Sequence, residues 1–449
     1  MTYEWREVEL GEVVDLLTGY PFKSQHYTDD SEAPRLLRGD NVAQGWLRWD
    51  SAKRWPGTMT SDLDDYWLSE GDVILAMDRP WIDAGLKYAA VGGADLPSLL
   101  VQRVARLRGS ESFDTRFLRY LIASRAFTNH VLAVQTGTAV PHISGGQIKS
   151  FRFLRPPLPV QRAIAHILGT LDDNIVLNRR MNETLEAIAR AIFKSWFVDF
   201  DPVRAKAEGR QPYGMDAETA ALFPDAFDDS TLGKIPKGWR VATLGDVVDV
   251  VKGRSYSSSE LADSETALVS LKSFQRGGGY RPDGLKPFTG SYKPEQAVIP
   301  GELVLAYTDV TQAADVIGKP AIVRRDARFK TLVASLDVGI IRPATENVSV
   351  PFLYCLCRTD DFQDHTYAHS TGTTVLHLSK DAVPSFLFPC PPAEVGRAFR
   401  SVTNALFEKI DANEQESATL SALRDTLLPK LMSGELRVND AERIAARAK

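Results

Sequence analysis

A stretch near the start of the chain recurs in its second half, and this repeat limits the possible folds more than any other feature. Residues 5–19 read WREVELGEVVDLLTG and residues 239–253 read WRVATLGDVVDVVKG, with Trp5/Trp239, Leu10/Leu244, Gly11/Gly245 and Gly19/Gly253 each 234 positions apart. The match continues through EGDVILAM (70–77) against GELVLAY (301–307) and FLRYL (117–121) against FLYCL (352–356). It ends with TGTAVPHIS (136–144) against TGTTVLHLS (371–379) and Pro156-Pro157 against Pro391-Pro392, both at an offset of 235. Offsets that return to within one residue of the start indicate a duplicated unit. A chain of 449 residues is in any case too long for one ordinary core.

Each copy opens with short β-type runs (73–77 and 303–307) broken by Gly, Pro and Asp turn residues. Helix-like stretches follow at 117–134 and 352–367, and then a Pro-rich break, RPPLPVQ or PCPPAEV, leads into a long helical run. In the first run Ile164, Leu171, Asn178, Leu185 and Ile192 recur every seven residues, with Ile167, Met181 and Ile188 between them. The second gives Phe399, Leu406, Asn413, Leu420 and Leu427, with Val402 and Leu423 between. Sustained seven-residue spacing predicts helices that pair with each other, the competing reading being two ordinary amphipathic core helices. Asn178 and Asn413 stand in the middle of each series. If the helices pack antiparallel about a pseudo-two-fold axis, these amides meet and penalise shifted registers. A helix of about 35 residues is about 50 Å long, roughly one and a half turns of B-DNA.

With 44% hydrophobic and 25% charged residues the composition is that of a soluble globular protein. The charged start and the lack of a run of about 18 apolar residues predict neither signal peptide nor membrane anchor. Cys355, Cys357 and Cys390 fit a reducing cytoplasm and are too few for a structural zinc site. A net charge of −5 argues against a protein that coats DNA alone. Basic residues nevertheless cluster, first as Arg103, Arg106, Arg108, Arg116, Arg119, Arg125, Lys149, Arg152 and Arg155, then as Lys319, Arg324, Arg325, Arg328 and Lys330. Each run reads either as a solvated face or as a positive patch. The acidic stretch from Pro202 to Asp229 reads as a connector.

The segments AIFKSWFVDFDPVRAKAEG (191–209), GKIPKGWRVATLGDVV (233–248), LRDTLLPKLMSGELRV (423–438) and the two TGTxVxHxS loops resemble the specificity subunit of type I restriction–modification systems. The resemblance covers nearly the full chain. It implies an α+β protein with two similar mixed α/β target-recognition domains separated by two long helices, which form an antiparallel coiled coil in a pseudo-two-fold duplicated chain. Residues 1–157 and 236–392 would be the recognition domains. Residues 158–200 would be the first helix, 201–235 the connector, and 393–440 the second helix and tail. The implied partners are double-stranded DNA with a bipartite target, two methyltransferase (modification) subunits and restriction subunits. No cofactor is expected in this chain; S-adenosylmethionine, ATP and Mg belong to the partner subunits, and the setting is cytoplasmic with no membrane. A methyltransferase-only system and a non-DNA two-domain adaptor are the alternatives.

Arg and Lys suit guanine edges and phosphates, whereas Asn and Gln suit adenine edges. RLLRGDNVAQGW (35–46) aligns with VSLKSFQRGGGY (269–280), which pairs Arg38 with Lys272 and Asn41 with Gln275 and adds Arg276. MDRPW (77–81), with Arg79, and YTDVTQ (307–312) are the next candidates, and ordinary surface loops are the competing reading for each. Thr136, Thr138, Thr371 and Thr373 lie in loops common to both halves, so they cannot by themselves distinguish bases. They either contact phosphate or belong to a structural turn at the head of the long helix. His142 and His377 have no evident nucleophile or carboxylate partner. Trp196 and Phe197, with Phe200, either anchor a methyltransferase subunit or cap the coiled coil. The chain has no GxxxxGK[ST] phosphate loop and no Asn-Pro-Pro-aromatic motif, and Asp172-Asp173 read as a solvated helix face, so catalysis is not expected of it.

Overall fold

The structure, a computed structural model, describes residues 5–49, 52–82, 84–137, 139–311 and 313–446. It divides into two compact units, residues 1–177 with 416–449, and residues 178–415. In the first unit a sheet runs in the order Val14–Thr18, Val104–Gly109, Val73–Ala76, Tyr88–Ala90, Gln44–Gly45. The second unit has Val248–Lys252, Val338–Pro343, Leu303–Ala306 and Pro320–Ile322 in the corresponding order. In both, the central strand is buried along its whole length, which is why its sequence is an unbroken apolar run.

The repeated residues have identifiable tasks. Gly19 and Gly253 lie where the first sheet strand passes the backbone of another strand, and a Cβ there would come within 2.3 Å of Val101 O and 2.2 Å of Ser335 O. Helices Thr115–Ala123 and Val350–Cys357 are capped by Asp114 and Ser349, whose side chains accept from Phe117 N at 3.0 Å and Phe352 N at 3.4 Å.

The long helices are Leu158–Phe197 and Ala393–Met432, and each unit contains part of both. In the second unit Asn182 meets Asn413, while Phe197 meets Phe399 at 5.1 Å between ring centres, so the helices run antiparallel there. In the first unit Ile164, Ile167 and Leu171 share a core with Leu420, Leu427 and Leu431. The strict seven-residue seam does not hold throughout, since Ile188 and Val402 are exposed. Burial passes instead to Ala189, Phe193 and Trp196 on one helix and Thr403, Phe407 and Ile410 on the other. A helix of 3.6 residues per turn drifts away from a seven-residue seam, and here the drift turns the helices toward their domain. Phe407, for example, packs against Tyr354 with ring centres 5.9 Å apart.

The central polar layer has more members than the repeat suggested. Asn413 Nδ2 donates to Asn182 Oδ1 at 2.8 Å, Asn182 Nδ2 donates to Glu414 at 3.2 Å, and Asn178 reaches only the backbone carbonyl of Asn413, at 3.4 Å. The expected Asn178–Asn413 amide pair is thus replaced by an Asn182–Asn413 pair, one helical turn away.

Residues 201–235 are folded rather than a loose connector. They form helices Asp201–Ala207 and Ala217–Ala221 and a hairpin of Phe227–Ser230 with Gly233–Pro236. Val203, Phe223 and Ile235, spaced among the acidic residues, enter the second unit's core beside Trp196 and Trp239. In the first unit the tail has the same role: Ala441 of helix Val438–Ala446 is fully buried, and Gly434 lies against the Trp5 ring.

Candidate nucleic-acid interface

In each unit the central strand ends at an edge where three loops meet. In the first, Ile143 N donates to Met77 O at 2.9 Å and Arg79 N to Pro141 O at 2.6 Å, which fastens the TGT loop to the strand end. Thr136 and His142 exchange backbone hydrogen bonds of 2.9 and 2.7 Å, and Thr136 Oγ1 meets His142 Nε2 at 3.1 Å. In the second, Leu378 N donates to Tyr307 O at 2.8 Å, His377 pairs with both Thr308 and Thr371, and Thr308 Oγ1 meets His377 Nδ1 at 3.2 Å. The TGT loops are therefore turns, seated on the strand end rather than at the head of a long helix. Gly137 and Gly372 have φ of 92° and 110°, and a Cβ at either would come within 2.6 Å of a backbone oxygen, so the turn requires glycine. Thr136, Thr371 and Thr373 are exposed, and Thr138 lies outside the described residues.

The third loop is tied in by the backbone and by a half-buried lysine. Lys87 Nζ donates to Gly39 O, and its backbone N donates to Pro80 O at 2.7 Å. Lys319 has the same place in the second unit: Ala76 N donates to Lys87 O at 3.0 Å and Ala306 N to Lys319 O at 3.1 Å. Burial lowers the pKa of both lysines, helped by Arg48 for Lys87 and by Arg358 for Lys319. The pair falls outside the repeat's register because loops of unequal length shift it to an offset of 232. LKYAAV (86–91) against GKPAIV (318–323) was the available signal.

The sequence candidates fare differently. Asn41 is not placed to read a base, since it is buried, its Oδ1 accepts from Arg38 N at 2.9 Å and its Nδ2 donates to Arg48 O at 3.1 Å. Gln275 uses its amide nitrogen on Tyr280 O at 3.2 Å. Arg38 leans toward Asp40 at 3.6 Å, Lys272 is exposed, and Arg79 projects from a backbone with φ 44°. Arg103, on a turn beside them, approaches Asp78 at 3.3 Å. Arg276 stands at a hairpin tip, 3.7 Å from Asp315. On one framework, then, Asp78 and Arg79 in the first unit correspond to Thr308 and Asp309 in the second, and Gln102 and Arg103 to Leu336 and Asp337.

Several residues of the two basic runs are engaged in ion pairs. Arg106 pairs with Asp15 and Arg108 with Asp72, while Arg119 pairs with Asp172 and Arg152 with Glu9. Arg324 pairs with Asp411, Arg328 with Asp326 and Lys330 with Glu265. Trp196 and Phe197 are not an exposed anchor. They are buried among Phe223, Trp239, Phe352 and Phe399, because residues 201–239 fold over them. Asp172 is likewise not on a solvated face; it is buried and bonded to Tyr120, Arg119 and Arg424.

One α+β domain present twice, with a common three-loop edge that carries different side chains, defines a duplicated recognition protein built on paired helices. Residues 3–187 match the family described as the type I restriction modification DNA specificity domain. Over 378 residues the chain is 26% identical to the type I restriction enzyme MjaIX specificity subunit of Methanocaldococcus jannaschii, a match covering 83% of this chain and 79% of that one. It is 37% identical over 172 residues to the EcoAI specificity subunit of Escherichia coli, which spans 38% of this chain and 28% of that protein. The crystal structure of the type I restriction–modification S subunit from M. genitalium shares the fold, with a TM-score of 0.52 at 15% identity over 96% of both chains. Over most of its length the chain is thus similar to type I restriction–modification specificity subunits.

Proposed function

We propose that this chain reads a two-part DNA target for a type I restriction–modification complex and assembles with two modification subunits and, through them, restriction subunits. The observation that carries the reading is the doubled edge. The framework bonds of the TGT loop and strand end repeat, while the side chains of the strand end and the third loop differ, as two different half-sites require. Arg38, Arg79, Lys272 and Arg276 are the proposed base and phosphate contacts, and the exposed Thr136, Thr371 and Thr373 are proposed phosphate contacts. The chain itself has no catalytic role in this proposal. S-adenosylmethionine, ATP and Mg act in the partner subunits, and the complex works in the cytoplasm. The described residues contain no group of His, Cys, Asp and Glu able to hold a metal. No described helix is long and apolar enough to cross a membrane. The test is the adenine methylome of the host with and without this gene. Loss of one motif with two specified parts and an unread spacer is expected; an unchanged methylome overturns the proposal.

A further inference from the structure

The Gln275–Tyr280 hairpin of the second unit is held by backbone bonds at every turn. Gln275 N donates to Gly279 O at 2.9 Å, Gly277 N to Asp315 O at 2.8 Å, and Gly279 N to Pro320 O at 2.9 Å. Three successive glycines, with φ of 77°, 101° and 108°, let the chain turn this tightly, and Gln275 uses its side chain to close the hairpin. Arg276 is the long side chain at the tip, with 73% of it exposed. A nearby carboxylate, Asp315 at 3.7 Å, belongs to the loop whose carbonyl holds Gly277.

That loop is itself fixed from beneath. Asp309 is buried, and its carboxylate accepts from the backbone N of Thr311 at 2.6 Å, Val316 at 2.6 Å and Ile317 at 2.9 Å. Thr311 Oγ1 in turn accepts from Asp315 N at 2.9 Å. A buried carboxylate thus orders a loop, the loop presents Asp315, and Asp315 faces a guanidinium on a rigid tip. Such pre-organisation gives a planar two-donor fork its specificity, because little freedom is left to lose on binding. In the first unit Arg79 stands where Asp309 does, so a cation there comes from the strand end instead.

We propose that Arg276 reads a guanine edge in the half-site of the second domain, with Asp315 orienting it and Asp309 positioning the loop. This rests on the DNA-reading function proposed above. The test uses the full chain co-expressed with its modification subunits; the complex methylates a randomised duplex library, and the modified motif is sequenced. Arg276→Ala is expected to leave every position of the motif intact except one guanine, where a preference of about 10- to 100-fold is lost. Arg276→Lys should lose the same preference while keeping the salt dependence of binding, because an ammonium is a point charge rather than a fork. Asp315→Asn and Asp309→Asn should weaken discrimination at that same position and nowhere else. An unchanged motif in Arg276→Ala overturns the assignment. So does a loss that is uniform over all sequences with the salt slope reduced by about one, which is the mark of a phosphate contact. A wild-type complex that modifies no split motif refutes the DNA-reading function itself, and this assignment with it.

Discussion

Asp172 offers the sharpest test of how a domain is held to its helices. Its carboxylate accepts from Tyr120 Oη at 2.7 Å, Arg119 at 3.1 Å and Arg424 at 2.8 Å, joining the domain helix Thr115–Ala123 to both long helices. Burial, and then the adjacent carboxylate, push the Tyr120 hydroxyl up. Removing one partner of a buried ion pair costs about 3–5 kcal/mol. Arg119 and Arg424 keep 31% and 30% of their side chains exposed, and Arg424 retains Asp425, so part of that cost is relieved by water. Asp172→Ala should therefore cost about 2–3 kcal/mol, a fall of roughly 5–10 °C for a unit of this size. The second unit holds an apolar version of the same junction. Phe407 and Ala189 stand where Asp172 and Arg424 do, with Cys355 for Tyr120, all in one hydrophobic core. Asp172→Leu combined with Arg424→Leu should accordingly cost less than Asp172→Leu alone. Calorimetry of the purified full chain measures each variant through the transition of the affected unit. An Asp172→Ala protein within about 0.5 kcal/mol of wild type, or a double-mutant cycle with no coupling, would refute the reasoning.

Three other outcomes are expected. Asn413→Leu strips buried Asn182 of its amide partner and should lower the urea midpoint by the equivalent of about 1–2 kcal/mol, whereas Asn178→Leu, losing a single long hydrogen bond, should be neutral or stabilising. Trp196→Ala opens a cavity under the folded 201–235 segment and should cost about 3–5 kcal/mol by chemical denaturation; a variant as stable as wild type would return Trp196 to the surface. For Asp309, burial raises the pKa but the backbone amides of Thr311, Val316 and Ile317 outweigh it, and the folded-state value falls below the ordinary one. The unfolded chain then holds more protons in that window, so this contribution is complete above about pH 5 and is lost as pH falls through the folded value. The acid limb of melting temperature against pH should be flatter in Asp309→Asn, and identical limbs would count against the cage.

The repeat made the architecture legible because it is carried by residues whose tasks are local. Gly19 and Gly253 stand at strand crossings, Asp114 and Ser349 cap helices, and Gly137 and Gly372 make a turn that no other residue fits. Such requirements act on a few neighbouring positions, and the sequence records them directly. The candidate edge was only partly readable. Arg79 and Arg276 are exposed as residue chemistry suggested, but Asn41, with the right chemistry for adenine, is used up inside its own turn. The correspondence of Lys87 with Lys319 is hidden because loops of unequal length break the register that revealed the rest, and the role of Asp315 because its partner Arg276 lies in another loop. Asp309 lies in the candidate stretch 307–312, but the string does not show that its carboxylate is buried.

The sequence alone determined that the chain is one α+β unit used twice with long helices, and which family it resembles, since periodicity and repeated motifs are properties of the string. Only the tertiary structure decided which charges are free and which apolar residues are covered. Asp172 reads as a solvated helix residue, and Trp196 as either a partner anchor or a cap on the helices, until Tyr120, Arg424 and residues 201–239 come together around them. Burial is the physical reason: it depends on what packs against a side chain from distant parts of the chain, and helical spacing gives only the direction in which that side chain points.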